Sequence, residues 1–201
     1  MPAQAKTREA VRRARTEAYR ELILDAALTV FAERGYGDAK VQEIAEHAGV
    51  ATGTVYGIFP SKQELYRAVH QANLDDLAAR YRELSVSGLG SQHILLERTR
   101  IAIEFLCTRP RYLRIYLQES NQWGLDPVDL PPLATAFMDL DLYRYGVEEG
   151  ELIEEDPEVL QGMAMSISRV VLFHWLRGDM KEAPSQLVER IQAHYIRAFF
   201  R

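Results

Sequence analysis

Val41–Lys62 reads VQEIAEHAGVATGTVYGIFPSK, and its pattern decides the architecture. Ile44, Ala45 and Ala48 form an apolar stripe, His47-Ala48-Gly49-Val50 closes it, and a second apolar set follows at Val55, Tyr56 and Phe59. Recurrence at three and four residues marks one face of a helix. Two short helices joined by a tight turn containing Gly form the helix-turn-helix pattern. In that motif the first helix crosses the DNA backbone and the second, here about Thr52–Phe59, enters the major groove. Spacing alone fits a small helical hairpin that only packs a core equally well.

Upstream, Glu17–Arg34 predicts a helix with Leu22, Ile23, Ala26, Ala27, Val30 and Phe31 on one wide apolar face. Gly35 stands where a left-handed C-cap belongs. The helix over Val41–His47 has Lys40 at its N-cap position, a side chain that cannot accept an amide hydrogen bond. It is therefore held by packing, or else Asp38 caps an earlier start. Thr52 is a better cap than Ala51 for the next helix. Gly53 and Gly57 each cost a short helix about 1 kcal/mol of propensity, which gives each a reason to be there: close backbone approach, or a surface left smooth. Pro60 ends the element. Ser61 with Glu64 at N3 makes a capping box for a helix from Lys62 to about Leu84, long enough to join two domains.

Beyond the loop Ser85–Ser91 the chain stays helical. Segments are expected over Ile94–Cys107, over Arg111–Glu119 with Thr108 as cap and Pro110 just inside, and from Pro131-Pro132 to about Glu149 after a loop over Asn121–Leu130. Asp156 caps a helix that runs to Gly178, and a last helix starts near Pro184. No long stretch alternates with period two, so the fold class is all α. The organisation reads as a basic arm over 1–16, a helix-turn-helix head over 17–64 and a larger helical body over 65–201. Met163, Ile167, Val170, Val171 and Trp175 on one late helix, and Leu187, Ile191, Tyr195 and Phe199 on the other, exceed what a lone surface needs. Pairing with a second copy through a four-helix bundle would cover them. A two-fold dimer would set its recognition helices about 34–36 Å apart, one turn of duplex.

Composition bounds the function classes. The 201 residues are 47% hydrophobic and 26% charged, as expected of a folded chain with a core, and one cysteine, Cys107, excludes an internal disulfide framework. No apolar run approaches the roughly 20 residues of a membrane span, and the N-terminus lacks a secretory core, so a cytoplasmic protein without a membrane partner is expected. The net charge of −5 hides an asymmetry: residues 1–20 hold six Lys/Arg against two Glu, while 86–201 hold twelve Lys/Arg against seventeen Asp/Glu. A polyanion would meet a basic arm, not a basic body. His47, His70, His93, His174 and His194 form no metal-ligand spacing. Ser61 and Cys107 have no base at local spacing. No metal, no cofactor and no catalysis are expected.

Residues 22–68, and above all GVATGTVYGIFPSKQEL, resemble the TetR family of transcriptional regulators; PRYLRIYLQES and the last two helices resemble its body more loosely. The resemblance implies an all-α homodimer whose small N-terminal heads bind a double-stranded DNA operator under a ligand-responsive body. It places Thr52 and Thr54 near bases or adjacent phosphates, Gly53 at a close approach to DNA, and Tyr56 and Lys62 on phosphates. Departures matter as much. Lys40 replaces the usual Ser/Thr cap, Ala51-Thr52 replaces a common Ser-Lys pair, and position 57 is Gly. The recognition helix therefore lacks Arg, Lys, Asn and Gln and cannot make the bidentate pairs that read guanine or adenine. Arg8, Arg12, Arg13 and Arg15 are inferred to compensate with phosphate or minor-groove contacts, unless the arm is simply a solvated tail.

For the body, the resemblance implies a pocket for a small, mostly apolar effector. Glu104, Phe105, Tyr112, Tyr116, Trp123, Phe137, Met138, Met163 and His174 are the candidate lining residues, each of which also suits a core position. Acidic surroundings favour a neutral or cationic effector, although Arg98, Arg109, Arg111 and Arg114 would equally suit an anion. A repressor is the default. A helical assembly protein whose head has lost DNA binding, and a DNA-binding regulator that senses no ligand, stay open.

Overall fold

Two runs of short-range helical pattern settle into two compact units, Met1–Asn73 and Leu74–Arg201. The computed structural model describes residues 2–85, 88–118 and 140–201, with side chains described from Arg8 onward. The chain is all α as expected. Among the described residues the one strand-like feature is an isolated antiparallel bridge between Leu152 and Phe200.

The head is built from α1 (Pro2–Asp38), α2 (Val41–His47), α3 (Thr52–Ile58) and the start of α4 (Lys62–Glu83). The basic segment is not a separate tail: α1 begins at Pro2 and runs through it. At Gly35 the backbone takes φ 74 and ψ 168, a break inside the helix in a region that essentially only glycine adopts. Ile23, Ala26, Ala27, Val30 and Phe31 are buried as their spacing requires, whereas Leu22 is 53% exposed, one position outside the stripe. Leu65, Val69 and His70 are buried in the head too. The first turns of α4 therefore belong to it, and the unit boundary lies at Asn73/Leu74 inside α4.

Capping decides the short elements. Lys40 precedes α2 with extended backbone and no side-chain cap, as expected from its chemistry. The α2–α3 turn is a Schellman motif: Val50 N–H donates to Ala45 O (3.0 Å), Gly49 N–H to Glu46 O (3.1 Å), and Gly49 supplies φ 66. Ala51, not Thr52, is the N-cap of α3; Thr52 is already helical, so no hydroxyl caps this helix. Ser61 Oγ accepts from Glu64 N–H (3.1 Å), but the Glu64 carboxylate turns to Arg67, so only the hydroxyl half of the expected capping box is described.

The body holds α5 (Ser91–Cys107), α6 (Pro110–Gln118), α7 (Leu140–Glu148), α8 (Pro157–Arg177) and α9 (Pro184–Phe199). Thr108 does not cap α6: its hydroxyl donates backwards to Phe105 O (2.8 Å) and closes α5 instead. Asp156 does cap α8, accepting from Glu158 N–H (2.8 Å). Gly90 has no side chain to cap α5, and the carboxylate of Glu151 takes over from sixty residues away. It accepts from Ser91 Oγ (2.5 Å) and Gln92 N–H (3.0 Å). The loop and helix start expected between Asn121 and Pro132 lie outside the described residues.

The core forms where α9 packs against α5 and α8, burying Leu187, Ile191, Tyr195 and Phe199. α8 is long and apolar enough to cross a membrane by length and composition, yet Leu160, Ala164, Ser168, Leu172 and Trp175 on one side of it are buried in this body.

Candidate nucleic-acid interface and ligand cavity

In the head, Val55 and Phe59 anchor α3 by burial, and Arg20 covers the Phe59 ring at 4.8 Å. That anchoring turns the opposite side outward: Gly53 and Gly57 are exposed, Thr52 and Thr54 half-buried, and Tyr56 is 49% exposed. A Cβ placed on Gly53 or Gly57 would meet nothing within 4 Å. The fold itself therefore does not demand glycine at either position. Lys40, at the start of α2, is exposed.

Lys62 stands differently from the other candidates. Its ammonium donates to the carbonyls of Tyr36 (2.6 Å), Gly37 (3.1 Å) and Ala39 (3.0 Å) and lies 4.6 Å from the Tyr36 ring. An ammonium has three N–H groups, and all three serve carbonyls, two in the last turn of α1 and the third, of Ala39, just past it. In this conformation Lys62 locks α4 onto α1 and has no donor left for a phosphate.

Along α1, Arg8, Arg12 and Arg15 recur at the spacing that stacks side chains on one helical face. All four arginines of the segment are exposed. Arg13 pairs with Glu9 (2.6 Å), and Arg15 donates to Tyr19 Oη (3.0 Å) and covers its ring.

In the body, the expected ligand residues scatter. Phe105 and Tyr112 are core: Phe105 lies edge-on to Tyr112 and beneath the guanidinium of Arg109 at 4.0 Å, which also pairs with Asp76. Glu104 pairs with Arg100 (2.9 Å). Met163 and His174 are exposed on α8. Trp123, Phe137 and Met138 lie outside the described residues. Of the set, Tyr116 lines a cavity of about 300 Å³. The rest of its wall comes from α4, α5, α7, α8 and α9, with Tyr81, Arg98, Thr99, Tyr143, Gln161, Ser168 and Tyr195 as the polar members.

Sequence reasoning missed these, though a signal existed. Leu95, Arg98, Thr99, Ala102, Ile103 and Leu106 share one stripe of α5, and Gln161, Ala164, Met165, Ser168 and Leu172 one stripe of α8. Polar residues on an otherwise apolar inward stripe mark a lined space. Tyr195 donates to Ala164 O (2.7 Å) and therefore receives the Ser168 hydroxyl proton (2.8 Å). Burial holds the Tyr81 and Tyr195 phenols well above their ordinary range, so both are neutral at physiological pH.

The residues expected to pair two copies divide in the same way. Trp175, Leu187, Ile191, Tyr195 and Phe199 are buried by their own chain; Trp175 also donates to Glu182 O (2.8 Å). Ile167 and Val171 are half-buried, and Met163 and Val170 are exposed beside Val159 and Phe173. The uncovered apolar stripe is thus a property of α8, not of both helices.

Comparison with known proteins agrees with the head. The family model described as "Bacterial regulatory proteins, tetR family" matches residues 23–69. The HTH-type transcriptional repressor KstR2 of Rhodococcus jostii is 36% identical over 97 residues, which cover 48% of this chain and 48% of that protein, so the chain spans about half the length of this curated relative. Among solved structures, FadR of Bacillus subtilis in complex with stearoyl-CoA superposes with a TM-score of 0.75 at 21% identity, covering 88% of this chain and 97% of the other. The ketosteroid regulator KstR2 of Mycobacterium tuberculosis does so at 0.67 and 24%, covering 90% and 95%. At these identities the superpositions speak for the fold alone. With its helix-turn-helix followed by an all-α body, the chain carries over residues 23–69 a head that matches the tetR family of bacterial regulatory proteins.

Proposed function

We propose that this protein is a cytoplasmic transcriptional repressor that binds a palindromic operator as a homodimer and leaves it when a small molecule fills the body's cavity. The observation that carries this reading is the outward side of α3. Thr52, Thr54 and Tyr56 flank two glycines that the fold does not need, which is the surface expected of a helix that must approach DNA closely. Threonine methyls and hydroxyls suit thymine edges and phosphates. With no long cationic side chain on α3, sequence preference rests on those contacts and on DNA shape. The uncovered stripe of Val159, Met163, Val170 and Phe173 supports pairing through α8. Gly162 and Ser166 lie in the groove beside Met163 and leave room for close helix approach.

The test is a mobility-shift titration of the purified protein on the DNA flanking its own gene and on random duplex, repeated across salt concentrations. A tight, steeply salt-dependent complex with an inverted-repeat site is expected. Salt-independent or absent duplex binding on every fragment of a genomic library would favour an assembly protein instead.

A further inference from the structure

We infer that the body's cavity takes a small neutral alcohol or phenol, whose O–H donates to the hydroxyl cluster of Thr99, Ser168 and Tyr195; this rests on the cavity being the effector site. Three helices bring these hydroxyls to one part of the wall: Thr99 from α5, Ser168 from α8 and Tyr195 from α9. A hydroxyl has one proton to give and two lone pairs to receive, so the protons can be counted. Burial keeps the Tyr195 phenol protonated, and that proton goes to Ala164 O (2.7 Å). Ser168 therefore gives its own to Tyr195 Oη (2.8 Å). Thr99 gives its own to Leu95 O (2.7 Å). All three protons are spent on the protein, while the Thr99 and Ser168 oxygens receive no donor among the described residues.

That count selects the ligand. An ether, ketone or carboxylate oxygen placed against the cluster sets lone pairs against lone pairs and leaves them all unsatisfied. A hydrocarbon buries the same oxygens without giving them a donor. An ammonium has N–H groups to give, but no Asp or Glu stands among the described residues of the wall to balance its charge. A neutral O–H supplies the missing proton and imports no charge. The rest of the skeleton meets hydrocarbon at Ile103, Leu106 and Leu172. Size narrows the class. A volume of about 300 Å³ is the share of about ten water molecules, so the ligand has roughly ten to fifteen non-hydrogen atoms. Of the neutral and cationic effectors expected from overall acidity, the wall favours the neutral one.

The experiment uses three probes with one skeleton: 4-butylphenol, 4-butylanisole and butylbenzene. The phenol donates, the ether only accepts and the hydrocarbon does neither; apolar area alone would rank the phenol last. Each is titrated calorimetrically into the purified protein and into a triple variant, Thr99→Val with Ser168→Ala and Tyr195→Phe. Removing the three hydroxyls together strands none of them, so the fold is expected to survive, and circular dichroism melts verify it. The phenol is expected to bind wild type at least about fivefold tighter than either analogue, the return of one hydrogen bond. In the triple variant that preference should fall below about twofold. Wild-type binding of the ether or the hydrocarbon as tightly as the phenol overturns the inference whether or not the variant folds, as does binding of none of the three. A preference that survives in a folded triple variant overturns it too. If 4-butylphenol binds with this preference but leaves a protein–operator complex intact, the cavity's demand for a donor stands and the effector reading fails.

Discussion

Replacing Lys62 with Met separates a structural lysine from a phosphate-binding one. The side chain spends its three N–H groups on the carbonyls of Tyr36, Gly37 and Ala39 and sits against the Tyr36 ring. Hydrogen bonds to a charged group contribute about 1.5–3 kcal/mol each when shielded. Tyr36 and Gly37 are exposed and Ala39 buried, so solvent weakens two of the three. The sum for the variant is a loss of about 2–3 kcal/mol. In a unit of 60–100 residues each kcal/mol moves the melting midpoint by about 4–8 °C, so the head should melt roughly 10–20 °C lower. A phosphate contact has another signature: each one adds about 0.9 to the slope of log affinity against log salt.

The assay pairs circular dichroism melts of wild type and Lys62→Met with mobility shifts at several salt concentrations, below the variant's melting range. The expected result is a lower midpoint and an unchanged salt slope, with any loss of affinity uniform across salt. An unchanged melt together with a slope reduced by about 0.9 per subunit would refute the latch and restore Lys62 to the DNA surface.

Other positions give equally definite expectations. Gly53→Ala and Gly57→Ala should each stabilise the head by about 0.5–1 kcal/mol, because the added methyl meets open space in a helical backbone. Gly53→Ala should nevertheless weaken operator binding at least about fivefold, roughly 1 kcal/mol, and full affinity in a stabilised variant would show that DNA does not approach there. Gly35→Ala, at φ 74 and ψ 168, should cost about 1–3 kcal/mol in chemical denaturation; an unaltered midpoint would contradict a glycine-only backbone. Hydrogen bonds from Ser91 and Gln92 hold the Glu151 carboxylate below its usual range. Its stabilisation is therefore present above the unfolded carboxylate's value near pH 4.3 and is lost as pH falls through the lower folded value. Glu151→Gln should destabilise by about 1 kcal/mol at pH 7 and match wild type in strong acid; a gap that persists there would assign the loss to packing.

The head was legible because its information is local. Spacing located α2, Gly49 marked the turn, and Pro60-Ser61 opened α4 with no knowledge of distant residues. What failed were choices made by partners far along the chain. Thr52 is chemically the better cap, but the Schellman turn at Gly49 sets the phase in which α3 starts. Lys62 looks like a surface cation until the end of α1 folds back onto it. Gly90 looks uncapped until Glu151 arrives. In the body, aromatic size was a poor guide to the cavity: Phe105 and Tyr112 fill the core, while the space is marked by Arg98, Gln161 and Ser168 on inward stripes. The width of the apolar faces on α8 and α9 did not say how much of them the chain consumes internally.

With Lys62 occupied and α3 devoid of cations, the proposed attraction to phosphates falls to Lys40 at the start of α2 and, as the one basic stretch of the described head, to the first turns of α1. There the helix carries Arg8, Arg12 and Arg15 on one face and Arg13 beside it. A helix of about 10–12 Å diameter does not fit a minor groove about 6 Å wide, so of the two roles expected for these arginines the phosphate role is favoured. Arg13 and Arg15 already hold intrachain partners, both exposed and exchangeable; between two and four phosphate contacts per subunit is the range this allows. Deleting residues 1–15 should then lower the dimer's salt slope by about 4–7 and weaken binding at least about tenfold at low salt. The same deletion should leave the melt of the head nearly unchanged, since the side chains from Arg8 to Arg15 are exposed. Undiminished affinity and slope in a folded deletion variant would mean that the arm is a solvated extension of α1 and that the operator is held through α2 and α3 alone.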